Sequence, residues 1–268
     1  MRTALSLLSL IALTGGCSDK DQPPAVQGIE VVKAFPHDSQ AFTQGLYMDG
    51  GTLMESTGEE GTSTLRKVEL ETGQVTAQTP LDSTYFGEGA VGWKDRIYQL
   101  TWRGQKAFIY NRADLSPRGE VGYSGEGWGL THNSDALIMS DGTAVLRFLD
   151  PESFTLRSTL PVTANGCPLS QLNELEWIDG EIWANVWRTD LIARIDPQTG
   201  KVSGFVDVVA LGPVAPGIDE VPNGIAYDAT AERIFVTGKM WPQLYQVRLS
   251  NGSPSGIAQD QAAALMRC

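Results

Sequence analysis

Short apolar segments recur along the chain from Gly28 onward, and turns rich in Gly, Asp, Asn or Pro separate each segment from the next. Short segments bounded by such residues are typical of β-strands. The 3.6-residue periodicity of a helix is almost missing before the alanine-rich run 262–265. We therefore predict an all-β domain.

Five of these segments are related to one another, and each has the form of a strand, a polar turn and a second strand. They begin at Gln44, Glu88, Trp128, Asn173 and Asn223, at intervals of 40 to 50 residues. A four-stranded propeller blade repeats every ~40–50 residues. The spacing predicts a five-bladed β-propeller over residues 28–250. A two-sheet sandwich is the alternative, but it gives no reason for a regular interval.

The fifth unit has only one further strand-like stretch, residues 243–249, where the first four units have two. We predict that the N-terminal segment 28–34 pairs with this last blade. Such pairing closes the ring and removes the exposed edge of a sheet.

A propeller brings equivalent positions of its innermost strands to one mouth of the central channel. Glu88 is the charged member of this set, and it lies between two glycines and behind the aromatic pair Tyr85 and Phe86. Apolar surroundings raise the pKa of a carboxyl group. Glu88 is therefore a candidate acid or base, and the alternative is a glutamate that only binds backbone amides. The second strands add Trp102, Asp141, Trp187 and Lys239 on the same face.

The N-terminus has the pattern of an export signal, with Arg2, an apolar run and the small residues Gly15 and Gly16 before Cys17. It resembles a bacterial lipoprotein signal, and plain secretion is the alternative. We expect a signal peptide over residues 1–16, lipidation at Cys17, a tether over 17–27 and a C-terminal tail over 251–268. The protein would then be exported, periplasmic or on the cell surface, and would contact a membrane only through the lipid.

Two cysteines remain, Cys167 and Cys268, and an exported protein meets an oxidising compartment. They form either a disulfide or two separate thiols. The net charge of −12 opposes binding to nucleic acid. His37 and His132 match no zinc-ligand spacing, whereas oxygen ligands leave room for a structural calcium ion.

Several motifs together carry a resemblance to a known family. They are FPHDSQAFTQGL, YFGEG, EGWGLT, LNELEW, WANVW, NGIAYD and FVTGKMWPQLY, and they extend from about Val31 to Leu249. With these motifs the chain resembles the glutamine cyclotransferases of plants and bacteria. The resemblance implies a five-bladed propeller that converts the N-terminal glutamine of peptides or proteins to pyroglutamate and releases ammonia.

The resemblance also implies roles for individual residues. Glu88 corresponds to the essential glutamate of the family. From the chemistry of the reaction we hypothesise that Glu88 is a proton shuttle and that Lys239, with Gln44 or Asn173, holds the carboxamide oxygen. The positions that it implies for substrate binding are Phe42, Gln44, Phe86, Trp102, Trp128, Asn173 and Trp187, and the repeat adds Asn223. We expect a monomer that needs no metal cofactor for catalysis. The rival hypotheses are a calcium-dependent propeller hydrolase such as a lactonase, and a surface lipoprotein that only binds a peptide or sugar.

Overall fold

The computed structural model describes residues 22–214 and 216–268. The expected signal peptide over residues 1–16, the lipidation site Cys17 and the tether residues 18–21 lie outside the described residues. Nearly all regular structure in the described part is β-strand. No helix in this part is both long enough and apolar enough to span a membrane.

In the described chain, three antiparallel sheets of four strands follow one another along the sequence. A further sheet of eight strands consists of a fourth and a fifth sheet that the N-terminal strand joins. Strand β1 (Ala25–Pro36) precedes them. The first sheet contains β2 (Thr43–Asp49), β3 (Thr52–Thr57), β4 (Thr64–Val68) and β5 (Val75–Pro80). The second contains β6 (Gly87–Trp93), β7 (Arg96–Thr101), β8 (Lys106–Asn111) and β9 (Pro117–Gly122). The third contains β10 (Leu130–His132), β11 (Leu137–Met139), β12 (Val145–Leu149) and β13 (Leu156–Pro161).

A small hairpin of β14 (Thr163–Ala164) and β15 (Cys167–Pro168) leads into the fourth sheet. That sheet contains β16 (Leu172–Ile178), β17 (Glu181–Val186), β18 (Leu191–Ile195) and β19 (Val202–Asp207). After the 3₁₀ turn Val209–Leu211, the fifth sheet contains β20 (Pro222–Asp228), β21 (Arg233–Gly238) and β22 (Gln243–Ser250). The C-terminal helix α1 (Gly256–Leu265) ends the regular structure.

Strand β1 completes the fifth sheet. It pairs antiparallel to β22, from Gly28 opposite Ser250 to Pro36 opposite Gln243. Residues 25–27 of the same strand pair in parallel with β19 of the fourth sheet. The strand therefore begins within the segment expected to be tether and ends beyond residue 34. The extra pairs satisfy backbone groups on the outer edges of both sheets.

The first strands of the five sheets form a closed ring, because β2 contacts β6, β6 contacts β10, β10 contacts β16, β16 contacts β20, and β20 returns to β2. Each apolar cluster of the core lies between two successive sheets, so that the inner strands are buried on both faces. The outer strands β5, β9 and β13 are mostly exposed. This all-β, propeller-like architecture agrees with the sequence prediction.

Helix α1 covers the outside of this ring next to the fourth sheet. Ser255 caps its first turn by accepting a hydrogen bond from the backbone N–H of Ala258. Ala258 and Ala262 are buried in the apolar cluster between the third and fourth sheets. The sulfurs of Cys167 and Cys268 are bonded, with their Cα atoms 5.5 Å apart. The C-terminal segment is thus fixed to the ring by packing and by a covalent bond.

Candidate active site

β-Bulges direct polar side chains to one end of the channel. In the first, second, fourth and fifth sheets of the described chain, the register shifts just after the first strand begins. The second residue of each strand lies in this shift, and these residues are Gln44, Glu88, Asn173 and Asn223. A bulge bends the strand and turns a side chain in a new direction. Trp128 has the corresponding place in the third sheet, two residues before β10.

Glycines after these positions let neighbouring backbones approach closely. A Cβ atom on Gly89 would lie 2.5 Å from the backbone nitrogen of Leu130, and one on Gly45 would lie 2.6 Å from that of Ala90. Both distances are too short for any side chain, so these two positions require glycine. The fourth sheet has Glu174 at the equivalent place. Its buried carboxylate accepts backbone N–H groups from Leu46 and Ile225, which belong to two other sheets.

A cavity of about 260 Å³ opens at this end of the ring. Nine of the ten side chains predicted to act on a substrate line it. They are Phe42, Gln44, Phe86, Glu88, Trp102, Trp128, Asn173, Trp187 and Lys239. The tenth, Asn223, is fully buried behind the wall. The structure thus brings together residues from all five repeats, and it places Asn223 beside the cavity rather than on its surface.

Asn223 acts on the cavity through its neighbour Gln44. Its amide nitrogen donates to the side-chain oxygen of Gln44 at 3.0 Å and to the carbonyl of Thr43 at 2.8 Å. The amide nitrogen of Gln44 donates in turn to Oε1 of Glu88 at 3.2 Å. Asn223 therefore determines which end of the Gln44 amide faces the carboxyl group.

Glu88 is only 4% exposed. Its Oε2 is buried and has no hydrogen-bond partner among the residues that the structure describes. Burial raises the pKa of Glu88 well above its ordinary value, the charge of Lys239 opposes this rise, and the charge of Glu126 adds to it. Glu88 is consequently a stronger base than a glutamate in water, and its second oxygen is available to a bound molecule.

Lys239 is 6% exposed and also lines the cavity. Its Nζ lies 4.5 Å from the centroid of the Phe42 ring. Burial lowers the pKa of Lys239, while the charges of Glu88, Asp219 and Glu59 act against this lowering. The backbone N–H of Lys239 donates to the carbonyl of Val221 at 3.0 Å, which holds the end of β21 in place.

Aromatic rings form most of the remaining wall. Phe42 meets Phe86 edge to face with their centroids 5.8 Å apart, and Phe86 meets Trp102 in the same way at 5.7 Å. Trp128 and Trp187 make a separate edge contact, with their ring centroids 5.5 Å apart. Such rings bury a large apolar area and exclude water. Asn173 adds a buried side-chain oxygen that has no partner in the described part of the chain.

Two acidic residues at the cavity, Glu59 and Asp219, were not found from the sequence. Both are exposed, and both lie in segments between strands rather than at the repeated positions. The one signal for Glu59 in the sequence is its place in the segment Gly-Glu-Glu-Gly. In the structure this segment is a turn, and Glu59 has a φ of 82°. Asp141, predicted for the second strands, does not line the cavity, because it forms an ion pair with Arg147 at 3.3 Å.

The same arrangement can move a proton at Glu88, place an ammonium group at Lys239 and enclose an apolar side chain between rings. Within residues 22–214 and 216–268, no three His, Cys, Asp or Glu side chains cluster in a way that could hold a metal ion. The chemistry that these residues themselves can perform is acid–base chemistry and charge stabilisation.

Comparison with known proteins, in sequence and in fold, indicates one class of enzyme. The sequence model of a family described as glutamine cyclotransferase matches residues 4–249. A glutaminyl-peptide cyclotransferase from Arabidopsis thaliana is 43% identical over 243 residues, which are 88% of this chain and 76% of the plant protein. The crystal structure of Myxococcus xanthus glutaminyl cyclase matches with a TM-score of 0.79 and 37% identity, over 85% of this chain and 98% of that one.

Proposed function

The chain belongs to the glutamine cyclotransferase family, and on this premise we propose that its cavity converts the N-terminal glutamine of peptides or proteins to pyroglutamate and ammonia. The buried carboxyl group of Glu88, with one oxygen left for a ligand inside an aromatic cavity, is the observation that supports this most directly. The five sheets would then be the blades of one five-bladed propeller, with β1 closing the last blade.

The substrate supplies both reacting groups. Its α-amine attacks the Cδ carbon of its own side chain, so the cavity has to hold the side chain in a folded conformation. The rings of Phe42, Phe86 and the three indoles would pack against the methylene groups of the glutamine. They would also exclude water, which is the competing nucleophile.

Glu88 would transfer one proton between two nitrogens of the substrate. It takes this proton from the attacking nitrogen as the new C–N bond forms. It returns the same proton to the amide nitrogen as the old C–N bond breaks, and ammonia leaves. No outside acid or base is needed, because the proton removed in the first step is the proton delivered in the second. The raised pKa of Glu88 suits a group that must accept a proton from an amine.

Lys239 would stabilise the negative charge that develops on the carboxamide oxygen. A buried ammonium group stabilises such a charge more strongly than water does. The side-chain oxygen of Asn173, which has no partner within residues 22–214 and 216–268, would accept an N–H of the substrate. Gln44 has one amide hydrogen directed at Glu88 and would hold that carboxyl group in position.

Replacing Glu88 tests the proposal. We expect Glu88→Gln to lower the rate of ammonia release by ~10²–10⁴, because general acid–base catalysis contributes about this much. The KM for a Gln-initiated peptide should change little, since the amide has nearly the same shape. Glu120→Gln is the matched control, because Glu120 is an exposed glutamate paired with Lys106 at 2.6 Å and does not line the cavity. Near-normal ammonia release by the Glu88 variant would show that Glu88 is not the shuttle.

Two further properties complete the proposal. The reaction would need no catalytic metal, which predicts full activity after dialysis against a chelator. The protein would act outside the cytoplasm, anchored by a lipid on Cys17, and the mass of the mature chain would show the presence or absence of that lipid.

A further inference from the structure

The aromatic wall of the cavity consists of two separate groups of rings. Phe42, Phe86 and Trp102 form one group, and Trp128 with Trp187 forms the other. Glu126 lies between the groups and is not among the lining residues. Its Oε2 accepts a hydrogen bond from the indole nitrogen of Trp102 at 2.7 Å and another from that of Trp128 at 3.0 Å.

The position of Glu126 is itself fixed from several directions. Arg103 donates to its Oε1 at 3.1 Å. Arg147 donates to its backbone carbonyl at 2.6 Å, and the next residue, Gly127, donates its N–H to the carbonyl of Trp102 at 3.0 Å. The backbone of Glu126 is therefore fixed by the bonds from Arg147 and Gly127, and its carboxylate cannot move away from the two indoles without breaking the bond from Arg103.

One carboxylate oxygen can accept two hydrogen bonds, and bonds to a charged acceptor are stronger than bonds to a neutral one. Burial opposes the charge of Glu126, but the N–H groups of Trp128, Trp102 and Arg103 outweigh it and lower the pKa of this carboxyl. Both indole nitrogens are used by Glu126. A bound substrate therefore meets the rings of these tryptophans rather than their N–H groups.

We propose that Glu126 is a positioning residue that joins the two groups of rings and holds Trp102 and Trp128 in the orientation that shapes the glutamine cavity. The consequence of this role for catalysis rests on the proposed function. The two hydrogen bonds from the indoles to Glu126 can be tested without measuring activity. The charge of Glu126 also acts on Glu88, and the other charged groups around these two carboxylates are Lys239, Arg103 and Arg147.

Two substitutions separate the hydrogen bonds from the charge. In Glu126→Gln the amide oxygen can still accept both indole N–H groups, whereas the negative charge is lost. We expect its KM to stay within about twofold of the wild type. The acid limb of its pH–rate profile should move to lower pH, because removing a like charge lowers the pKa of Glu88.

In Glu126→Ala both hydrogen bonds and the charge are lost. We expect KM for a Gln-initiated peptide to rise about tenfold, since both indoles lose the charged acceptor that fixes their orientation. Glu120→Ala is the matched control, because it removes an exposed, ion-paired glutamate of the second sheet that does not line the cavity. Its KM should equal that of the wild type.

The indole N–H signals in the nuclear magnetic resonance spectrum of ¹⁵N-labelled protein provide a readout independent of activity. Trp102→Phe and Trp128→Phe assign the two signals. Both should shift and exchange faster with water in Glu126→Ala, and both should stay near their places in Glu126→Gln. Unchanged signals together with an unchanged KM in Glu126→Ala would overturn the proposal. If both signals shift in Glu126→Ala but the wild type releases no ammonia, the positioning role of Glu126 is supported and only the proposed function fails.

Discussion

At the scale of single residues, Asn223 and Gln44 show how a buried amide outside the cavity can act on the carboxyl inside it. Asn223 donates to the oxygen of Gln44, and this leaves the amide nitrogen of Gln44 to face Glu88. If the amide of Gln44 turned around, its oxygen would face an oxygen of Glu88. That arrangement would favour the protonated form of Glu88, which cannot accept a proton from the substrate.

Asn223→Asp tests this chain of hydrogen bonds. An ionised aspartate accepts but does not donate, so Gln44 should turn its nitrogen toward residue 223 and its oxygen toward Glu88. The pKa of Glu88 should rise further. We therefore expect the acid limb of the pH–rate profile to move to higher pH and kcat at neutral pH to fall by roughly tenfold.

The matched control for this change is Asn133→Asp. The side-chain oxygen of Asn133 only accepts, from the backbone N–H groups of Asp135 and Ala136. An aspartate can do the same, so the pH–rate profile of this variant should match the wild type. Equal profiles for both variants would show that Asn223 does not act through Gln44.

The sequence predicts the residues at repeated positions and misses those between them. Gln44, Glu88 and Asn173 were found because the repeat places them at equivalent points of three strands. Glu59, Asp219 and Glu126 lie in segments whose length and conformation differ from sheet to sheet, so no internal comparison indicates them. Their roles depend on side-chain contacts such as that between Glu126 and Trp102, which only the folded chain shows.

At the scale of elements, a buried ionic network joins the first sheet to the turn between β21 and β22 of the fifth. Glu55 on β3 accepts from Nε2 of His37 at 3.0 Å, from Thr43 at 2.7 Å and from Nε of Arg66 at 2.9 Å. Nδ1 of His37 lies 2.6 Å from the carbonyl of Trp241, two residues after Lys239. The network thus connects the strands of the first sheet to the loop that holds Lys239.

Glu55→Gln should destabilise the protein strongly, because it leaves His37 buried without its anion and leaves Arg66 with Asp38 as its remaining carboxylate partner. Breaking a buried ion pair from one side costs ~3–5 kcal/mol. Equilibrium unfolding in urea measures this loss. Glu71→Gln is the matched control, since Glu71 pairs with Lys33 at 2.6 Å on the surface, where both side chains are about half exposed or more. A loss no larger than in this control would contradict a structural role for the network.

The pH dependence of this loss follows from the two pKa shifts. Burial would raise the pKa of Glu55, but His37 and Arg66 outweigh it and lower the pKa to about 2. The contribution of Glu55 is therefore present above its ordinary pKa and is lost as the pH falls toward 2. Burial would lower the pKa of His37, but Glu55 outweighs it and the pKa is raised. Its contribution is complete below pH 6.5 and is lost as the pH rises through the raised pKa. The difference in the free energy of unfolding between the wild type and Glu55→Gln should be largest between pH 4.5, the ordinary pKa of Glu55, and pH 6.5, the ordinary pKa of His37.

The sequence predicts strands well where the repeat is regular and poorly where a sheet departs from it. The first strand of the third sheet begins only at Leu130, because Trp128 and Gly129 bond to Ser140 in an irregular segment before it. The bulges at Glu88 and Asn173 were not predicted, since a two-residue periodicity does not indicate where an extra residue enters a ladder.

At the scale of the whole molecule, the bond between Cys167 and Cys268 and the packing of α1 fix the C-terminus to the ring. Gln261 of this helix accepts from the backbone N–H of Asp190 at 2.9 Å and donates to its carboxylate at 3.0 Å. Asp190 lies three residues after Trp187, which lines the cavity. The helix therefore supports the loop that carries one wall of the site.

Cys268→Ser should lower the free energy of unfolding by ~2–5 kcal/mol, because the bond closes a loop across a sequence separation of 101 residues. Ammonia release at low temperature should persist, since β1 and β22 still close the ring. Urea unfolding with and without a reducing agent checks this. The reductant should bring the wild type to the stability of the variant and leave the variant itself unchanged. Equal stability of the oxidised wild type and the variant would be the contrary result.

The closed ring follows from the repeat and from the missing strand of the fifth unit, so most of the architecture can be predicted from the sequence. The position of the C-terminal segment cannot be predicted in this way. The sequence leaves two cysteines that could pair or stay apart, and an alanine-rich run whose partner is unspecified. The packing of this run and the pairing of the cysteines depend on the apolar surface of the fourth sheet, which Ala258 and Ala262 cover. No local sequence pattern predicts that contact.

The pairing of β1 with β22 also sets an order of events during synthesis. Glu30 and Arg248, which face each other in this pair, are 218 residues apart in the chain. A ribosome delivers β1 among the first strands and β22 after all the others, so the nascent chain can stack its sheets but cannot join the ends of the ring. Ring closure thus has to follow the emergence of β22, and it depends on contacts of the highest sequence separation, which form slowly.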